Sequence, residues 1–119
     1  MKKNELILSV HIPKCGGTTF RSILNKIYAP DIFFEYSQES SQSKNAKNIS
    51  KNVKCVHGHL IYKAYKQLIR SSSLITFLRH PVYRTISLYE HIKRLPSDGG
   101  ILAKFIIADD PTIIEFSEH

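Results

Sequence analysis

The apolar and polar positions along the chain alternate between short buried runs and amphipathic stretches. Leu6-Ile7-Leu8-Ser9-Val10 has the length and character of a buried strand. Pro13 and Gly16-Gly17 then break the pattern. Phe20, Ile23, Leu24, Ile27 and Tyr28 follow with i, i+3, i+4, i+7, i+8 spacing, which predicts a helix over 18–28. Residues 37–52 are dominated by Ser, Gln, Asn and Lys and read as a polar surface loop with solvated lysines. A second strand is predicted over 53–57, and Ile61, Tyr65, Leu68 and Ile69 mark a short helix. Ser71-Ser72-Ser73 reads as a break before a third buried strand over 74–78. Pro81 suits a first helical position, where its missing N–H costs nothing. Val82, Ile86, Tyr89 and Ile92 line the face of that helix, and residues 96–100 end it. A short helix is expected over 101–107, and Asp110-Pro111-Thr112 starts another that the chain end cuts off. There is no internal repeat.

The order β-α-β-α-β-α predicts an α/β fold, with a parallel sheet and right-handed crossovers, in one domain over 1–119. Ligands of such sheets bind beyond the carboxyl ends of the strands. Three chemically rich segments fall there: 11–19, 57–59 and 79–84.

Composition narrows the class of protein. At 42% hydrophobic and 23% charged residues, the 119-residue chain is that of a globular domain rather than a disordered one. A net charge of +7 favours anionic partners. Two cysteines, Cys15 and Cys55, are too few for a disulfide framework and suit a reduced intracellular protein. No run reaches the roughly 18 apolar residues of a membrane helix, and the run 6–10 is too short for a signal peptide. A cytoplasmic location without a membrane span is expected. Nucleic acid is not an expected partner, because no segment interleaves aromatic and basic residues on one face.

The segment after the first strand carries the most chemistry. Lys14 supplies a cation, Gly16 and Gly17 unobstructed amides, and Thr18 and Thr19 hydroxyls, all suited to phosphate or sulfate. The lysine precedes the glycines, so this is not the G-x-x-x-x-G-K-[ST] loop of an ordinary ATP site. A glycine turn with an exposed lysine and a Thr cap is the structural alternative. Cys15 to Arg21, with Ser22 next, also fits the C-x5-R-[ST] pattern of cysteine phosphatases. Against that reading, Lys14 stands where a histidine is usual, and no neighbouring carboxylate is an obvious general acid.

After the third strand, Arg79 can fork two hydrogen bonds onto a phosphate, and Ser87, about two helical turns on, can add a hydroxyl. Taken together, Pro13-Lys14-Cys15-Gly16-Gly17-Thr18-Thr19 and Arg79-His80-Pro81-Val82-Tyr83-Arg84-Thr85-Ile86-Ser87 resemble the two donor motifs of nucleotide-sulfate sulfotransferases. The likeness is to the branch that holds the carbohydrate and heparan sulfate O-sulfotransferases. It implies a three-layer fold of P-loop nucleoside-triphosphate-hydrolase-like topology. It implies 3′-phosphoadenylyl sulfate as donor, its 5′-phosphosulfate held by Lys14, Cys15, Gly16, Gly17, Thr18 and Thr19. Arg79 and Ser87 would hold its 3′-phosphate. His80 departs from the Asp more usual before the proline.

His57-Gly58-His59 sits at the end of the second strand, where both rings can point the same way. A metal site would need a third ligand, none has suitable spacing, and no metal is expected. The same branch carries a similar H-G-H segment with a catalytic histidine. By that resemblance His59 is the first choice of base and His57 the second, with Lys14 stabilising the leaving oxygen. The implied activity is sulfuryl transfer to a hydroxyl acceptor, a carbohydrate and with this charge an acidic glycan. Family members are longer, so a truncated member, incomplete at its C-terminus, is expected. A nucleotide-binding remnant without activity and a phosphatase using Cys15 and Arg21 are the alternatives.

Overall fold

In a computed structural model of the chain, which describes residues 5–69 and 71–95, four strands and four helices alternate. They are β1 (Leu6–Val10), α1 (Gly17–Tyr28), β2 (Ile32–Glu35), α2 (Glu39–Lys47), β3 (Cys55–Gly58), α3 (Tyr62–Ile69), β4 (Ser72–Thr76) and α4 (Pro81–Lys93). The strands form one all-parallel sheet in the order β2-β3-β1-β4. The described residues divide into two compact units at the Leu78–Arg79 boundary. The first holds the sheet with α1, α2 and α3, and the second begins with α4.

The parity of the strand residues builds the layers. Successive side chains of a strand point to opposite faces. Ile7, Cys55 and Ile32 pack with Leu24, Phe20 and Tyr28 of α1. Their neighbours Leu8, Val56 and Phe33 pack on the other face with Ala46 of α2 and Tyr65 and Leu68 of α3. The first unit is thus α1, sheet, and α2 with α3: the expected three-layer α/β arrangement.

Residues 37–52 are a correction to the expected polar loop, because α2 occupies most of them. No apolar stripe announces this helix. It is anchored by a buried amide instead: Gln42 Nε2 donates to the carbonyls of Ser37 and His59, and its Oε1 accepts from Ile61 N–H. β2 also escaped the sequence reading, since it offers three apolar residues and then a carboxylate. That carboxylate, Glu35, is fully buried and accepts from Tyr65 Oη at 2.7 Å, Ser37 N at 2.9 Å and Asn45 Nδ2 at 3.0 Å. Burial alone would raise its pKa, but these donors outweigh burial and hold it below its ordinary value.

β4 starts two residues earlier than expected, inside the serine run, where Ser72 Oγ donates to Leu68 O. Phe77 and Leu78 therefore lie past the strand end and are exposed. Pro81 does open α4, and His80 Nδ1 caps it by accepting from Val82 N–H at 3.3 Å. A histidine thus performs the capping that an aspartate would. Of the expected α4 face, Tyr89 and Ile92 are buried, whereas Val82 and Ile86 are exposed. The expectations for 96–100, 101–107 and 110–112 lie outside the described residues.

Candidate functional site

The loop between β1 and α1 has the backbone of an anion cradle. Lys14 (φ 64°) and Gly16 (φ 77°) are both left-handed, one on either side of Cys15. Such turns aim consecutive N–H groups into one concavity. Gly16 is the N-cap of α1 with no side chain capping it, and no acidic residue occupies the first turn. The positive end of the helix is therefore not neutralised from within α1. Thr18 and Thr19 are exposed at this end, and Lys14 is half-buried. Cys15 is buried.

A row of rings stands beside the loop. His11, Tyr36 and His59 follow directly on the carboxyl ends of β1, β2 and β3, which are neighbours in the sheet. His11 N–H donates to Gly58 O at 2.7 Å and His59 N–H to Glu35 O at 2.9 Å, so the ladder carries on one residue past each strand. His11 Nδ1 and Tyr36 Oη share a hydrogen bond of 3.1 Å. His59 is held between these two rings, with centroids 4.9 Å from His11 and 5.0 Å from Tyr36. The His11 ring also lies against Gly17, where any Cβ would overlap it. A glycine is required there for the loop and the ring to coexist.

Beneath this row is His57, 1% exposed. The register sets Ser9 opposite His57, and Ser9 Oγ lies 2.8 Å from its Nδ1. His11 stacks on it at 5.5 Å with an interplanar angle of 13°. Its Nε2 is buried without a hydrogen-bond partner, and His57 borders a small cavity shared with His11, Cys15, Gly17, Phe20 and Phe77. Burial first, then the charges of His11 and Arg21, lower the imidazole from 6.5 to about 4, and the Gly17 backbone offsets only part of this.

That shift has a measurable consequence. The unfolded chain takes up a proton near pH 6.5 that the folded chain accepts only near pH 4. The contribution is fully present above pH 6.5 and is lost as pH falls towards 4, by about 3 kcal/mol in all. Urea midpoints should fall steeply across this window in the natural chain and much less in His57→Gln. Equal slopes for the two would show that His57 does not drive the acid sensitivity.

The two sequence-predicted histidines therefore differ. His59 is exposed and His57 is enclosed. His11 and Tyr36 were given no role by the sequence reading. His11 was visible as the residue just past a strand, but Tyr36 depended on an unrecognised β2. Burial, His59 and Arg21 lower the His11 pKa, in that order. Among the described residues no group of three His, Cys, Asp or Glu side chains could hold a metal ion. The Arg21 guanidinium lies 4.4 Å from the Phe34 ring centroid and 5.3 Å from that of Tyr36. It is thus engaged with Phe34 of β2 and with Tyr36 of the ring row, and its charge reaches His11 and His57. Arg79 and Ser87 belong to the second unit. Arg79 is exposed ahead of the His80 cap, and Ser87 is half-buried near the middle of α4.

A family description for the sulfotransferase family matches residues 1–110. The chain belongs to the sulfotransferase family. No curated protein and no solved structure matches it. A sulfotransferase has to place a sulfuryl group between a leaving-group site and an acceptor base. The β1–α1 loop and the His11–Tyr36–His59 row lie side by side, with the His11 ring against Gly17. Among its described residues the chain has no helix long and apolar enough to cross a membrane.

Proposed function

We propose that the chain is a 3′-phosphoadenylyl sulfate-dependent sulfotransferase of the carbohydrate O-sulfotransferase branch, acting on a sugar hydroxyl. The observation that carries this reading is the doubly left-handed Lys14–Gly16 turn at the head of α1, whose own first turn holds no acidic residue, beside an exposed imidazole. The uncapped N-terminus and the orphaned His57 Nε2 behind it suit an anion at this end of the sheet. When bound, the donor supplies an activated sulfuryl group. Lys14 stabilises negative charge on the bridging oxygen, and the 16–19 amides and hydroxyls hold the 5′-phosphate. Cys15 contributes its backbone to this turn. Arg79 and Ser87 take the 3′-phosphate. His59 accepts the proton of the acceptor hydroxyl as its oxygen attacks sulfur, and the His11 and Tyr36 rings hold His59 in place.

Titrating the chain with adenosine 3′,5′-bisphosphate tests the donor site. Saturable one-to-one binding to folded protein, weakened in Arg79→Ala, is the expected result. Folded protein that takes up no bisphosphate would refute the reading. Binding without turnover on any sugar acceptor would instead identify a nucleotide-binding remnant.

A further inference from the structure

The positive charge of the first unit is concentrated away from the donor loop. From Ser40 to Leu78 the chain carries seven Lys and Arg residues and no Asp or Glu. Lys44, Lys47, Lys51, Lys54, Lys63 and Lys66 are all exposed. They sit on α2, on α3 and in the segment leading from α2 to β3. Two clefts open on this layer. One of about 640 Å³ is bordered by Lys47, Lys51, Lys54, Ser50 and Asn52. The other, of about 440 Å³, lies between α2 and α3 and is bordered by Ser43, Lys47, Lys63, Lys66 and Gln67. Lys47 borders both, so the clefts adjoin. Among the described residues, the one carboxylate on their walls, Asp31, is paired with Lys54 at 2.8 Å.

The track has a direction. α2 and α3 each follow the carboxyl end of a strand and run back along the sheet. Lys63, in the first turn of α3, is four residues past His59. Lys51 and Lys54 lie at the opposite edge, just before β3. The walls also favour one kind of polyanion. Among the described residues they hold no aromatic ring on which a base could stack. Among the described residues, none of the exposed large apolar side chains borders either cleft, which gives a bilayer no apolar anchor there. Hydroxyl and amide groups interleave with ammonium groups instead, matching a chain that alternates sugar hydroxyls with carboxylates or sulfates.

We propose that the α2–α3 groove binds a linear acidic polysaccharide outside the reaction centre and feeds it towards His59. This rests on the carbohydrate-acceptor reading above. The test uses the full chain and a labelled heparin oligosaccharide, followed by anisotropy at several salt concentrations. Lys47→Glu/Lys63→Glu/Lys66→Glu should weaken binding about 100-fold and flatten the salt dependence. Lys26→Glu/Lys93→Glu/Arg94→Glu, with the same charge change elsewhere, should have little effect. A groove variant that binds as well as this control would overturn the proposal. So would a charge-matched DNA duplex that binds as tightly and loses as much, which would reassign the groove to nucleic acid. Adenosine 3′,5′-bisphosphate titrations on the same samples keep the two readings apart. Lost bisphosphate binding with intact heparin binding strikes the donor site alone, and the reverse strikes the groove alone.

Discussion

Lys14→Ala is expected to lower sulfuryl transfer by about 10²–10³-fold, the usual effect of removing one preorganised charge from a developing anion. The assay is release of adenosine 3′,5′-bisphosphate from 3′-phosphoadenylyl sulfate with O-desulfated heparin as acceptor. The backbone at Lys14 makes this substitution informative. A left-handed residue other than glycine costs about 1–2 kcal/mol, and alanine bears the same cost as lysine. The variant therefore removes the ammonium group and leaves the turn. Lys14→Gly relieves that backbone cost, so it should be somewhat more stable than the natural chain and equally inactive. Cys15→Ser should keep transfer within a few-fold, since the proposed role of Cys15 lies in its backbone. The opposite pattern, with Cys15→Ser inactive and Lys14→Ala active, would restore the phosphatase reading built on Cys15 and Arg21.

The fold was legible wherever a segment is held by apolar burial. β1, α1, β3 and α3 have apolar positions matched to their periods, and each was found within one or two residues of its limits. The elements that escaped are those held by polar groups. β2 ends in a buried carboxylate, and α2 is tied down by the amide of Gln42. Both residues have the composition of a solvated loop, and their burial follows only once Tyr65, Asn45 and the Ile61 amide are in place around them. Hydrogen-bond partners distant in sequence leave no periodic trace, so a pattern search passes over them.

The same division runs through the site. The β1–α1 turn was legible because adjacent glycines after an apolar run break the strand and open a helix. The ring row was half legible. His59 was visible in its motif, while Tyr36 required β2, and the contrast between His57 and His59 required knowing that β3 ends at Gly58, between them. Ser9 opposite His57 is a matter of strand register, which nothing in either segment states alone.

That contrast gives the second large effect. His59→Ala should reduce kcat by about 10²–10⁴-fold, the range for an aligned general base, with little change in unfolding free energy. The ring is exposed and meets Tyr36 edge-on and His11 at a tilt, so few buried contacts are lost. His57→Ala should do the reverse. It empties a space under His11, strands Ser9 Oγ without its partner, and destabilises the fold by about 2–4 kcal/mol. Added imidazole separates a missing base from a disturbed loop. At an exposed position it can enter the vacated space and should restore part of the His59→Ala activity. It cannot reach the enclosed His57 position without opening the β1–β3 face. Rescue of His57→Ala but not of His59→Ala would move the base to His57 and leave His59 as part of the wall that holds the acceptor.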